Sequence, residues 1–277
     1  MVVAVGALGG SGTRVVAEIL SRLGVYIGDD LNVSVDNLLY TRLFKNVNWY
    51  KNSTSKERDN RHLIFKKCMI GRNLTFSEKV ELYKASKSNI YVKSSTKYYK
   101  KIFLGNQKLK KNEYEHWGWK EPNSHIYMEN IHRVFKNIKY IYVIRHGLDM
   151  AYSKNIQQLV NWGFLHDIDL NENDDKNKIA VKQLEYWIKS SEKAIQLGND
   201  LFKENFYILN HQNLSLNPSG EIDKLINFLG LSTTEAIYNQ VVGLPKIPST
   251  NERYKKEDIS IFSKNQTEKV ESFGFII

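Results

Sequence analysis

The stretch VGALGGSGTR, residues 5–14, constrains the fold more strongly than any other part of the chain. It continues a short β-branched run over Val2–Ala7 that is typical of a buried strand. It leads into residues 13–23, where apolar side chains recur at helical spacing. A strand, a glycine-rich loop and a helix in this order predict the first unit of a parallel α/β fold.

Two later runs repeat this switch from strand to helix. Residues 140–144 form an apolar strand that ends at Arg145, and a helix is predicted over residues 148–155. Phe206–Asn210 predicts a third strand, followed by a helix whose core face holds Leu225, Phe228 and Leu229. Further helices are predicted over residues 75–87, 124–137 and 177–197. We expect one domain over residues 1–277, with a central parallel β-sheet flanked by helices on both faces.

The positive charge of the chain is concentrated in one segment. The net charge is +10, and residues 42–111 hold 19 lysines and arginines against four acidic residues. Such a segment is either a solvated face or a surface that attracts an anionic nucleotide or an acidic substrate. A nucleic-acid-binding protein is a further alternative.

Cysteine content and hydropathy limit the class of protein. The single cysteine, Cys68, excludes an intramolecular disulfide framework and a cysteine-based zinc site. No cysteine and histidine cluster has metal-ligand spacing, so we expect no metal. No apolar run approaches the ~18 residues that span a bilayer, and the N-terminus lacks the features of a secretory signal. We therefore expect a soluble, cytoplasmic protein without a transmembrane segment.

The glycine-rich loop does not match the usual nucleotide-binding motifs. A phosphate loop of the Walker type needs a lysine where Gly12 or Thr13 stands, and Val15 replaces the third small residue of a dinucleotide fingerprint. Arg145, rather than a magnesium-binding aspartate, follows the later strand. With Ser153 eight positions later, it suits a phosphate held by a guanidinium and a hydroxyl without metal. A kinase-like nucleotide-dependent enzyme stays the alternative.

Five segments in this order resemble the motifs of sulfotransferases that use 3′-phosphoadenosine 5′-phosphosulfate (PAPS). They are GGSGTR at 9–14, WGWKEP at 117–122, RHGLDMAYS at 145–153, ILNHQNLSLNPSGEIDKLINFLGL at 208–231 and PSTNERYKK at 248–256. These motifs are most similar to those of carbohydrate, tyrosylprotein and bacterial sulfotransferases. The resemblance implies a P-loop NTPase-like sulfotransferase fold, PAPS as donor, its desulfonated form PAP as product, and no metal. Residues 42–115 are unmatched, which predicts a mostly helical, basic, substrate-specific insertion.

The resemblance also implies a nucleotide site. The loop and the start of the first helix would hold the 5′-phosphosulfate through Gly9, Gly10, Ser11, Gly12, Thr13 and Arg14. Arg145 and Ser153 would hold the 3′-phosphate, helped by Arg253 and Lys255 from the tail segment. Tyr254 is a candidate to stack on adenine. The backbone N–H groups of Gly10 to Thr13 suit an anion because they open a helix.

The catalytic residues are less well defined because Gly10 stands where most family members keep a lysine or arginine. We expect Lys120 to be the cation near the bridging oxygen, with Arg14 supporting the phosphate. Asp36 is the first candidate for the general base and Asp30 the second. Glu121 and His125 stay open, and His146 is expected to be structural.

The acceptor is expected to be a hydroxyl or amine compound. The basic segment is rich in tyrosine and tryptophan, and aromatic rings pack on sugar faces, so a carbohydrate or glycolipid is preferred, with an anionic acceptor as one option. A phenol, a small alcohol or a peptide tyrosine are the other candidates. We expect no nucleic acid as partner, and the residues do not indicate an oligomeric state.

Overall fold

A parallel sheet runs through the computed structural model, which describes residues 1–88 and 114–277. Its strand order is β2-β1-β3-β4. The strands are β1 Val2–Ala7, β2 Trp117–Lys120, β3 Ile138–Ile144 and β4 Phe206–Asn210. Val2 of β1 is in register with Trp117 on one side and Ile138 on the other. The predicted α/β fold and its three predicted strands are confirmed, and β3 begins two residues earlier than predicted.

Two cores lie on opposite faces of the sheet. Along β3, Tyr140 and Tyr142 join one buried cluster, whereas Ile141 and Val143 join the other. Successive side chains of a strand point to opposite faces, so a strand that is apolar throughout must be covered on both sides. This is why β3 reads as a continuous apolar run.

The helices cover these two faces. The described residues form α1 Thr13–Arg22, α2 Leu38–Phe44, α3 Val47–Asn52, α4 Ser55–Met69, α5 Phe76–Ser88, α6 Met128–Val134, α7 Gly147–Ala151, α8 Gln157–Trp162, α9 Lys176–Phe202, α10 His211–Leu216, α11 Pro218–Leu229, α12 Glu235–Val242 and α13 Lys264–Ser272. Buried residues of α1 and α11 belong to one core, and those of α2, α4 and α9 belong to the other.

Several predicted helix boundaries change in the structure. The helix predicted over 124–137 is instead a 3-10 helix, Pro122–Tyr127, followed by α6. Pro122 starts the 3-10 helix, and its carbonyl oxygen accepts a hydrogen bond from the His125 ring. The helix predicted over 148–155 ends at Ala151, so Ser153 lies beyond it. α9 extends to Phe202, five residues beyond the prediction.

The basic segment over 42–115 is mostly helical where it is described. α3, α4 and α5 lie within it, and Thr75 and Glu78 exchange two hydrogen bonds at the start of α5, each accepting the backbone N–H of the other. Residues 89–113 lie outside the described residues. That the segment is a substrate-specific insertion in a single domain stays a prediction.

The contact between β1 and β2 gives a test of the sheet. A Cβ atom on Gly118 would lie 2.0 Å from the carbonyl oxygen of Val3, a backbone atom that has no room to move. We expect Gly118→Ala to lower the free energy of unfolding by about 1–3 kcal/mol or more. At Gly243 the nearest atom to an added Cβ is 3.5 Å away, so Gly243→Ala should stay within about 1 kcal/mol of the parent. Denaturant unfolding of both variants measures these two effects. Equal free energies of unfolding for Gly118→Ala and Gly243→Ala would contradict the prediction.

Candidate functional site

The loop between β1 and α1 adopts a conformation that requires glycine. Gly10 and Gly12 have φ angles of 96° and 86°, in the left-handed region. A Cβ atom on Gly12 would lie 1.9 Å from Cδ2 of His211, the first residue after β4. The loop backbone therefore packs directly against His211, beyond the carboxyl end of β4.

The N–H groups of this loop fall into two sets. Gly9 donates to Oε1 of Gln158 at 2.7 Å, and Ser11 donates to the carbonyl oxygen of Leu8 at 3.1 Å. In the part of the chain that the structure describes, no hydrogen bond engages the N–H groups of Gly10, Gly12 and Thr13. The second set lies at the positive end of the α1 dipole and can bind an anion. The N–H group of Ser11, expected in that role, is already occupied by its turn.

Arg145 connects the loop to the tail segment. Its guanidinium donates to the carbonyl oxygen of Gly10 at 3.2 Å and to the carbonyl and hydroxyl oxygens of Thr250 at 2.8 and 2.9 Å. Burial lowers the pKa of Arg145, Asp149 opposes that shift, and the positive charge of Arg253 adds to it. Arg253 donates to the same carbonyl oxygen of Thr250 at 3.2 Å, so the structure brings Arg145 and Arg253 together.

Asp149 holds the tail segment in place. This carboxylate is 1% exposed, lies 3.7 Å from the Arg145 guanidinium, and accepts the N–H groups of Glu252 at 3.0 Å and Tyr254 at 3.5 Å. A buried carboxylate is stable only when its charge is paired and hydrogen-bonded. Asp149 therefore fixes Arg145 and residues 250–254 relative to each other.

Three other predicted nucleotide ligands have local partners. Tyr254 is 4% exposed and stacks on His146 with 4.6 Å between ring centroids, so its ring belongs to the core rather than to an open platform. Lys255 is exposed and pairs with Glu252 at 2.8 Å. The hydroxyl of Ser153 accepts the N–H of Asn155 at 3.2 Å.

The structure brings Lys120 and Asp36 together across 84 positions of the chain. Nζ of Lys120 lies 2.5 Å from Oδ1 of Asp36 and donates to the carbonyl oxygen of Ser34 at 2.6 Å. The Lys120 side chain is 2% exposed, whereas that of Asp36 is 19% exposed. A buried ammonium and a partly open carboxylate therefore meet beyond the carboxyl end of β2.

A short loop holds Asp36 in this position. Asn32 accepts the N–H of Asp36 at 2.9 Å and donates to its other carboxylate oxygen at 2.8 Å. The next residue, Asn37, donates its N–H to the carbonyl oxygen of Lys120 at 2.8 Å. Val35 has a φ of 61°, which is unusual for a β-branched residue and marks local strain.

Asp30 and Arg14 occupy different surroundings. Asp30 lies 3.5 Å from the buried guanidinium of Arg42. Arg14 is 62% exposed and pairs with Glu18 at 2.9 Å, one turn along α1. The structure thus pairs Asp36, the first candidate for the base, with Lys120, the expected cation. Asp30 and Arg14 each form an ion pair with another residue.

Glu121 is a buried acid beside this pair. It is 2% exposed, and its Oε1 accepts a hydrogen bond from Asn123 at 2.8 Å, whereas its Oε2 has no partner among the described residues. Burial raises the pKa of Glu121 to about 7, helped by the negative charge of Asp36 and opposed by Lys45, Asn123 and Lys120. A neutral carboxylic acid is therefore favoured at this position up to about neutral pH.

Sequence reasoning missed Asp149, Gln158 and His211. His211 packs on Gly12, and burial lowers its pKa to about 4, with the charge of Arg145 contributing. Its position directly after an apolar strand was the available signal, since Arg145 follows β3 in the same way. Asp149 was signalled by its place four residues after Arg145. No sequence pattern pointed to Gln158.

A comparison with protein families identifies the chain. The family model described as "Sulfotransferase family" matches residues 3–235, which include the loop, Lys120, Arg145 and His211. The chain belongs to the sulfotransferase family. A search of curated protein sequences finds no match.

Solved structures share the fold of this sulfotransferase. The sulfotransferase domain from the Synechococcus PCC 7002 olefin synthase has a TM-score of 0.54 at 15% identity, covering 100% of this chain and 95% of that one. Sulfotransferase STF9 from Mycobacterium avium has a TM-score of 0.51 at 12% identity, covering 99% and 76%. The sulfotransferase domain from the curacin biosynthetic pathway has a TM-score of 0.50 at 11% identity, covering 100% and 98%.

The described residues of the sulfotransferase contain neither a metal-binding cluster nor a membrane-spanning helix. Over residues 1–88 and 114–277, no group of three or more histidine, cysteine or acidic side chains is arranged to hold a metal ion. Within the same ranges, no helix has both the length and the apolar character needed to cross a bilayer.

The raised pKa of Glu121 predicts how stability depends on pH. Between pH 4.5 and about 7 the unfolded chain loses the Glu121 proton while the folded sulfotransferase keeps it, so this group's contribution to stability falls as pH rises. Glu121→Gln does not titrate and keeps an acceptor. We expect its stability relative to the parent to rise by up to about 3 kcal/mol from pH 5 to 7.5 and then to level off. Thermal unfolding across pH, with Glu268→Gln on α13 as control, checks this. If the stabilities of Glu121→Gln and the parent changed with pH in the same way, the prediction would be contradicted.

Proposed function

We propose that this sulfotransferase moves a sulfuryl group from PAPS to a hydroxyl or amine of its acceptor. The observation that carries the proposal is the convergence of two charged sites at one edge of the sheet. The loop with Arg145 forms an anion site, and Lys120 with Asp36 forms an acid and base pair beside it. A kinase-like or nucleic-acid-binding function lacks comparable support.

The residues at the loop fit the donor. Gly10 and Gly12 give the loop its left-handed turns, and the side chains of Ser11 and Thr13 are buried next to the open N–H groups. We assign these groups to the 5′-phosphate. Arg145 and Arg253 suit the 3′-phosphate, whose oxygens would replace those of Thr250 on the Arg145 guanidinium. Ser153 and Lys255 stay secondary candidates.

Lys120 and Asp36 suit the two ends of an in-line transfer. The acceptor oxygen or nitrogen forms a bond to sulfur while the bond from sulfur to the bridging oxygen breaks, and that electron pair stays on the 5′-phosphate. Asp36 would take the acceptor's proton, and Lys120 would stabilise the developing negative charge. Because Lys120 is buried, its charge acts with little screening by water.

This arrangement accounts for the glycine at position 10. Arg14, the other candidate to replace the missing loop cation, is exposed and paired with Glu18. Lys120 lies in β2, whose neighbour β1 ends in the loop, and its side chain is buried. We therefore assign the catalytic cation to Lys120 and only a supporting role to Arg14. Asp30 keeps Arg42 compensated instead of acting as base.

A carbohydrate or glycolipid is the acceptor class that we favour. A cavity of about 620 Å³ among α3, α4 and α5 is lined by Trp49 together with charged side chains of both signs, Arg61, Lys84, Glu57, Glu78 and Glu81. The guanidinium of Arg61 lies over the Trp49 ring, with 3.5 Å from its Cζ to the ring centroid. An aromatic ring beside several polar groups suits a sugar. A screen of acceptors with labelled PAPS tests the class, and transfer only to phenols or peptide tyrosines would overturn it.

Donor binding can be tested with PAP alone. Calorimetry without metal should detect tight binding, and Arg145→Ala should weaken it by roughly 100-fold, because it removes a charged donor to phosphate. Arg133→Ala, which breaks an exposed ion pair with Asp59, is the matched control and should bind as the parent does. An intact protein that does not bind PAP would refute the proposal.

The catalytic pair can be tested by separating binding from transfer. Lys120→Met keeps the buried side-chain volume and should lower kcat by roughly 10²–10⁴ while PAP binding changes little. Asp36→Asn should lower kcat to a similar extent, whereas Asp30→Asn should change it far less. Single-turnover transfer and PAP calorimetry measure the two effects. A Lys120→Met enzyme with unchanged kcat would exclude the assigned role.

A further inference from the structure

A chain of buried and partly buried hydrogen bonds connects the glycine-rich loop to the end of β2. The N–H of Gly9 donates to Oε1 of Gln158 at 2.7 Å, and Nε2 of Gln158 donates to Oδ1 of Asn123 at 2.9 Å. Nδ2 of Asn123 then donates to Oε1 of Glu121 at 2.8 Å. Nε1 of Trp162 joins the chain by donating to Oδ1 of Asn123 at 3.0 Å.

The direction of this chain follows from two atoms that can only donate. The Gly9 N–H requires the oxygen of Gln158, which turns the Gln158 NH₂ group towards Asn123. The Trp162 N–H requires the oxygen of Asn123, which turns the Asn123 NH₂ group towards Glu121. The chain must therefore end on an acceptor, and Oε1 of Glu121 is that acceptor.

The chain of hydrogen bonds and Arg145 hold two different peptide groups of the loop. Gln158 holds the N–H of Gly9 on one side, and Arg145 holds the carbonyl oxygen of Gly10 on the other. These two bonds orient the peptides on either side of the one that carries the open N–H group of Gly10. The other end of the chain is Glu121, the residue next to Lys120.

We propose that Glu121, Asn123 and Gln158 are positioning residues that hold the loop in its anion-binding conformation. The proposal rests on the donor binding described under Proposed function. Asn123 and Glu121 are each 2% exposed, so a broken link leaves a buried polar group without a partner. These residues act through Gly9 and do not contact the donor.

The direction of the bond between residues 121 and 123 allows a rescue experiment. Asn123→Asp removes the NH₂ donor. At a pH well above the Glu121 pKa of about 7, two carboxylates then face each other, so PAP affinity measured there should fall by roughly tenfold or more. Adding Glu121→Gln reverses the bond, because an amide at 121 donates to a carboxylate at 123. The double variant should regain most of the affinity, and Glu121→Gln alone completes the cycle.

A second readout does not depend on any ligand. Labelling with ¹⁵N-glycine gives signals from the 16 glycines, and Gly9→Ala identifies the Gly9 signal by its disappearance. The Gly9 amide should be protected from hydrogen exchange in the parent, exposed in Asn123→Asp and protected again in the double variant. Gln158→Leu should also expose it, whereas Gln157→Leu on the same helix should not. Gln158→Leu carries the test if Asn123→Asp does not fold.

The two readouts separate the two proposals. Loss and rescue of Gly9 protection in a protein that does not bind PAP would support the positioning chain and refute the proposed donor. A second outcome would overturn the positioning chain alone. In it the parent binds PAP, and Asn123→Asp and Gln158→Leu keep both the Gly9 protection and the PAP affinity of the parent. A double variant no better than Asn123→Asp in either readout would also overturn it.

Discussion

The parallel pairing of β1 with β2 and β3 is the constraint on which the site depends. Val5 is in register with both Lys120 and Ile141, so three segments far apart in the chain end at one edge of the sheet. Parallel strands present their carboxyl ends together, and ligands bind beyond those ends. The glycine-rich loop, Lys120 and Arg145 lie at the same edge for this reason.

Burial of charge explains how the site is held together. Lys120, Arg145 and Asp149 are almost inaccessible to water, and an unpaired charge there would be strongly destabilising. Each is compensated by an ion pair, and carbonyl groups of Ser34, Gly10 and Thr250 accept from the two cations. The same contacts orient the groups that we assign to donor binding and transfer, so stability and function use one set of interactions.

Much of the fold was predictable because its signals are local. An apolar run on both faces predicts a buried parallel strand, and β1 and β3 follow that rule. β4 lies at the end of the strand order and leaves Ile208 exposed. Helix ends were harder, since Pro122 starts a 3-10 turn and α7 stops before Ser153. The role of Tyr254 could not be predicted, because the sequence does not distinguish an aromatic ring that stacks on a ligand from one that stacks on another side chain. In the structure Tyr254 stacks on His146.

The sequence by itself determined the order of the elements and the chemistry available at each strand end. Its glycine loop, its lysine and arginine and its acidic candidates were all readable as residue types at fixed spacings. Only the tertiary structure decided which of them meet: Asp36 rather than Asp30 contacts Lys120, and Gln158 contacts Gly9. Contacts across 84 or 149 positions depend on how loops close over the sheet, and no local pattern encodes that distance.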